Sequence, residues 1–100
     1  MLASNSSLKR YRSEMGVISD ILDIIMESGR QGVIASGISR RANLSHYDLI
    51  EKCQKLVDAE LIQSMRSGRK RLFSMTEKGI WFFRELEKFR EMVSHLNIRH

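Results

Sequence analysis

Four basic side chains fall within six positions, Arg66, Arg69, Lys70 and Arg71, around the turn-forming pair Ser67-Gly68. Residues 61–79 hold these four and Lys78 against Glu77 alone, a net +4 of the chain's formal +5. A cluster this dense on a turn is an anion-binding edge rather than a diffusely basic surface. Reactive chemistry is sparse elsewhere. The one cysteine, Cys53, falls on an apolar helix face, where a thiol is a small hydrophobe. His46, His95 and His100 have no metal-ligand spacing with it. The six glycines are scattered and form no phosphate-cradling loop. The reading is therefore a binding protein, not an enzyme, with no cofactor, metal or evident small-molecule ligand.

The elements that position these residues follow from periodicity. At 100 residues, 42% hydrophobic and 29% charged, the chain is one globular domain. Residues 1–11 read as a flexible basic tail carrying Lys9 and Arg10. Met15, Ile18, Leu22 and Ile25 recur at spacings of three and four, which predicts a helix over 12–28 ending near Gly29. Ile34, Ile38 and Ala42 predict a second, short helix within 33–42, beginning at Val33 or, with Ser36 as N-cap, later. Asn43-Leu44-Ser45 is a tight turn, with Ser45 as N-cap of a third helix over 46–59. Leu49, Ile50, Cys53, Leu56 and Val57 form its apolar face.

The period then changes. Residues 61–66 and 71–75 are rich in β-compatible types and predict a hairpin across residues 67–70. Thr76 caps a final helix to about residue 97, giving domains of 12–79 and 76–100. Phe82, Leu86, Phe89, Val93 and Leu96 recur in a heptad and predict a homodimer seam. Glu85 and Arg90 fall at g and e positions suited to a parallel pair. The longest apolar run is Ile80-Trp81-Phe82-Phe83, too short for a membrane span. No secretory signal is visible, and a single cysteine suits a reducing cytoplasm.

Two helices joined by a short turn and followed by a hairpin make a winged helix-turn-helix, mainly α with a small β-hairpin. Ile38-Ser-Arg-Arg-Ala-Asn-Leu-Ser45, then Leu61-Ile62, a basic hairpin and Thr76-Glu77-Lys78-Gly79, resembles the small archaeal winged-helix DNA-binding proteins. The resemblance covers about 12–97. It implies a long C-terminal antiparallel coiled coil and a double-stranded DNA partner, hence a nucleoid-associated cytoplasmic location. It fits a transcriptional regulator or a chromosomal architectural protein. One departure is Glu60, where that family has Gly before Leu-Ile.

In such a module the helix over 46–59 enters the major groove, which makes Ser45, His46, Tyr47, Lys52 and Lys55 its candidate contacts. Asp48 and Glu51 near the same surface repel phosphates, and Lys52 and Lys55 have the spacing to pair with them instead. The wing residues Arg66, Arg69, Lys70 and Arg71 suit phosphates or a narrow minor groove. Arg40 and Arg41 suit the backbone beside the groove, as do Arg10 and Arg12 from the arm. A final helix of about 22 residues spans roughly 33 Å, close to the spacing of half-sites one DNA turn apart. A winged-helix protein-interaction module and an RNA binder are the competing readings.

Overall fold

Helix α1 runs over Glu14–Ser28 in the computed structural model, which describes residues 13–96. The predicted basic tail and the end of the last helix lie outside those residues. The Gly16 N–H donates to the Ser13 hydroxyl at 2.9 Å and caps α1. Val17, Ile18, Ile21, Leu22, Ile24 and Ile25 are buried, a stripe wide enough to meet both α2 and the sheet. Met15, predicted to start that stripe, is instead exposed, because the core begins one turn later.

After a single 3-10 turn over Gly29–Gln31 the chain becomes β1, Val33–Ile34. Here the predicted helical start is corrected. Val33 and Ile34 pair antiparallel with Phe73 and Leu72, and α2 begins only at Ala35. Two β-branched residues beside an available strand edge favour the ladder over another helical turn. The predicted hairpin is thus part of a three-stranded sheet, ordered β1-β3-β2.

Helix α2 (Ala35–Ala42) ends at Asn43, whose φ of 59° is the left-handed geometry asparagine tolerates. The Leu44 N–H returns to the Ser39 carbonyl at 2.9 Å. The Asp48 N–H donates to the Ser45 hydroxyl at 3.0 Å and caps α3 (His46–Asp58). Helix α3 ends in a Schellman motif, with Leu61 N–H on the Leu56 carbonyl and Glu60 N–H on the Val57 carbonyl, both at 2.9 Å. Its left-handed residue is Glu60, at φ 65°. A position that favours glycine therefore carries a glutamate, at a cost of about 1 kcal/mol.

Strands β2 (Ile62–Ser67) and β3 (Lys70–Met75) pair from Ile62↔Met75 to Ser67↔Lys70. The turn is therefore only Gly68-Arg69, two residues shorter than predicted, with Gly68 at φ 65° as a tight hairpin requires. Phe73 on β3 is fully buried among Ile21, Leu22, Ile25, Ile38, Leu49 and Ile62, so all three head helices and the sheet share one core.

Helix α4 (Glu77–His95) is capped by Thr76, whose hydroxyl accepts from Gly79 N–H at 2.9 Å and donates to the Glu60 carbonyl at 2.6 Å. Its start crosses so close to the end of α3 that a Cβ on Gly79 would sit 1.8 Å from the Leu61 carbonyl oxygen. Its 19 residues span about 28 Å, less than the long helix expected. Among the described residues no helix is long and apolar enough to cross a membrane.

Candidate nucleic-acid interface

The hairpin register sets the geometry of the basic edge. Arg66 and Arg71 stand directly opposite each other, as do Ser67 and Lys70. Like charges across a ladder repel, so this pairing is unfavourable until an anion arrives. Arg71 is held down: its Nε donates to the Ser64 hydroxyl at 2.9 Å and its guanidinium lies 5.2 Å from the Phe73 ring centre. Arg66, Arg69 and Lys70 are exposed. Among the described residues none of the four makes an ion pair within the chain.

These cations wall a groove of about 440 Å³ whose other side is Ser36 at the start of α2 and His46 and Ile50 on α3. The first turn of α2 has no side-chain cap, and its exposed residue, Ser36, lies at the groove. The fold thus joins the wing, the start of α2 and the start of α3 around one concave surface of the right chemistry for a phosphate backbone. Ser36 and Ile50 were not legible as groove residues, because the fold of the wing onto α2 decides their place.

The remaining candidates divide. Tyr47 is 75% exposed at the start of α3. Ser45 is exposed, with its oxygen engaged as the cap. Arg40 is exposed near the end of α2, while Arg41 is paired with Glu27 of α1. Lys52 and Lys55 turn toward α1 and share the Glu14 carboxylate, at 3.8 and 2.7 Å. Lys52 also lies 3.8 Å from Glu51, whereas neither lysine is paired with Asp48. Lys55 and then Lys52 hold the Glu14 carboxyl below its ordinary range, and Glu14 in turn raises Lys55. A partner 41 residues away carries no signal in local spacing.

The outward face of α3, opposite Leu49, Cys53 and Leu56, carries Tyr47, Glu51, Gln54 and Asp58. Burial pushes the Cys53 thiol up to about 12, so it is an inert part of the core. Among the described residues no three His, Cys, Asp or Glu side chains gather into a metal-binding group.

On α4, Phe82 packs back against the head, and Leu86 and Val93 are half-buried. Trp81, Phe89, Met92 and Leu96 are 60–66% exposed and lie within roughly 80° of one another on one side of the helix. The apolar stripe is therefore displaced from the predicted seam toward Trp81 and Met92. Arg90 is engaged by Asp23 of α1 at 3.6 Å and Glu87 at 3.2 Å, and Glu85 by Lys88 at 3.2 Å. The g-to-e pairing expected for a parallel dimer thus has competing partners within one chain.

The geometry has known relatives. The fold is similar to that of an Archaeoglobus fulgidus protein, with 19% identity over 77% of this chain and 86% of that one, and a TM-score of 0.67. It is similar to the PcaV transcriptional regulator from Streptomyces coelicolor, with 18% identity, coverage of 80% and 60%, and a TM-score of 0.74. ZitR from Lactococcus lactis, a zinc-responsive MarR family member, is 26% identical, with coverage of 81% and 57% and a TM-score of 0.63. The chain therefore spans only about 60% of the length of these two proteins. No curated protein matches it in sequence. The family model for winged helix-turn-helix proteins matches residues 11–94, every helix and strand described above apart from the last residue of α4, and the chain belongs to that family.

Proposed function

We propose that the protein is a transcriptional regulator that binds double-stranded DNA as a homodimer. The observation that carries this reading is the groove in which four cations, none of them in an ion pair among the described residues, face the starts of α2 and α3. A protein-interaction module has no need for such a row. In this reading α3 enters the major groove with Ser45, His46 and Tyr47 leading, and the wing tracks phosphates through Arg66, Arg69, Lys70 and Arg71. Arg40, and Arg41 when freed from Glu27, flank the backbone. Lys52 and Lys55 reach phosphates only when Glu14 releases them. The exposed apolar side of α4 supports dimerisation, because a stripe of Trp, Phe, Met and Leu is seldom left in water. PcaV, of similar fold, is a transcriptional regulator.

The test is the double variant Arg69→Ala/Lys70→Ala in duplex binding across a salt series. Each lost phosphate contact lowers the slope of log K against log salt by about 0.9, so two lower it by about 1.8. Affinity should fall alike for unrelated duplexes. An unchanged slope with altered sequence preference would contradict the phosphate role.

A further inference from the structure

The outward face of α3 is the wrong surface for a simple phosphate binder. At 3.6 residues per turn, Tyr47, Glu51, Gln54 and Asp58 fall within roughly 60° of one another, directly opposite the buried Leu49, Cys53 and Leu56. All four are exposed, and with Ile50 and Lys55 they line one shallow depression of about 410 Å³. Two of the four are carboxylates, on the helix that a winged helix-turn-helix presents to DNA. A carboxylate there costs affinity through phosphate repulsion unless it meets a hydrogen-bond donor. In the major groove the only donors are the exocyclic amines, N4 of cytosine and N6 of adenine.

Gln54 carries a second constraint. Its Nε2 donates to the Asp58 Oδ1 at 2.9 Å. That bond fixes which end of the amide is nitrogen and uses one of its two N–H groups. What remains is one N–H and one carbonyl oxygen. This set matches adenine, which offers the N7 acceptor and the N6 donor. Guanine offers two acceptors, N7 and O6, and would need both N–H groups. Asp58 withholds the second.

We propose that Glu51 and Gln54, with Asp58 as the positioning residue for the Gln54 amide, make this helix a base-selective reader. Gln54 takes adenine and rejects guanine, and Glu51 takes a neighbouring cytosine or adenine amine. The two lie three residues apart, about 4.5 Å along the helix, so they address adjacent base pairs. The carboxylates weaken non-specific binding and thereby widen the gap between right and wrong sites. Affinity comes from the wing, and discrimination from a face that is acidic and amide-bearing. The inference rests on the DNA-binding reading above.

The experiment is selection from a randomised duplex library by the full chain and by Glu51→Ala, Gln54→Ala and Asp58→Ala, followed by affinity measurements on the selected duplexes. All three positions are exposed, and each variant is first checked for a cooperative thermal unfolding transition. The wild type should enrich a fixed adenine, favoured over guanine by about tenfold. Gln54→Ala should erase that preference. Asp58→Ala should keep binding but admit guanine at the same position, an effect a merely structural role would not produce. Glu51→Ala should raise affinity for unselected duplexes and flatten the adjacent position. Retention of duplexes with no adenine column, or with columns unchanged in the three variants, overturns the inference alone. Failure of the wild type to retain any duplex overturns the DNA-binding reading and this inference with it.

Discussion

Replacement of Gly79 by alanine probes the contact that sets α4 and the wing on α3. The added Cβ would lie 1.8 Å from the Leu61 carbonyl oxygen and 2.8 Å from its carbon. Ordinary contact needs about 3.4 Å, so the two segments must part by roughly 1.5 Å. Neither side is a flexible side chain. The Leu61 carbonyl accepts from Thr76 N–H at 3.2 Å, and the Thr76 hydroxyl donates to the neighbouring Glu60 carbonyl at 2.6 Å. Parting stretches both bonds, at about 0.5–1.5 kcal/mol each. Displacement in a packed region adds about 1–3 kcal/mol. The expected loss is about 2–6 kcal/mol, a large share of the roughly 5–15 kcal/mol that holds such a domain together. Thermal unfolding followed by circular dichroism should show the midpoint falling by at least about 10 °C. Lys78→Ala, exposed in the same turn, should change stability by less than about 0.5 kcal/mol and serves as the control. A Gly79→Ala midpoint within about 2 °C of wild type would refute the close approach.

Further outcomes follow from single contacts. Glu60→Gly keeps the carbonyl that Thr76 uses and relieves the left-handed strain, so it should stabilise by about 0.5–1 kcal/mol in urea unfolding; destabilisation would contradict the strain. Glu14→Gln frees Lys52 and Lys55, which should steepen the salt slope of duplex binding by about 0.9 for each lysine that gains a phosphate. The same variant tests a pH effect: Glu14 is lowered from 4.5, so its pairing is present above that pH and is lost as pH falls through the lower folded value. Wild-type stability should therefore decline more than that of Glu14→Gln as pH drops below about 4.5, and parallel curves would contradict the pairing. Phe89→Lys should convert a dimer to monomers in sedimentation, and a monomeric wild type at micromolar concentration would contradict the apolar-face argument.

Local signals carried the helices and the wing. Ser45 and Thr76 are caps that read directly from residue type, and both accept the N–H three residues on. Gly68 among basic residues marks the turn by the same logic. Glu60 stands where the resembling family has glycine, and its φ of 65° shows that the backbone there keeps the glycine geometry. What was not legible depends on distant partners. Val33 and Ile34 fit a helical repeat and a strand equally, and pairing with Phe73 and Leu72, some forty residues on, decides it. Lys52 and Lys55 look free until α1 brings Glu14 beside them. Arg90 suits an inter-helix pair until Asp23 takes it. On α4, repeat spacing located an apolar seam, but the packing of Phe82 onto the head selects which side stays exposed.

The central claim is that the wing and the starts of α2 and α3 form one phosphate-binding groove. Its most direct measurement is the affinity of the full chain for a duplex of about 20 base pairs between 50 and 200 mM salt. With the four wing cations engaged, each chain should contribute about −3.6 to the slope of log K against log salt. Affinity should then fall by about two orders of magnitude per chain over that range. A slope near zero, or no binding at 50 mM, would contradict the account.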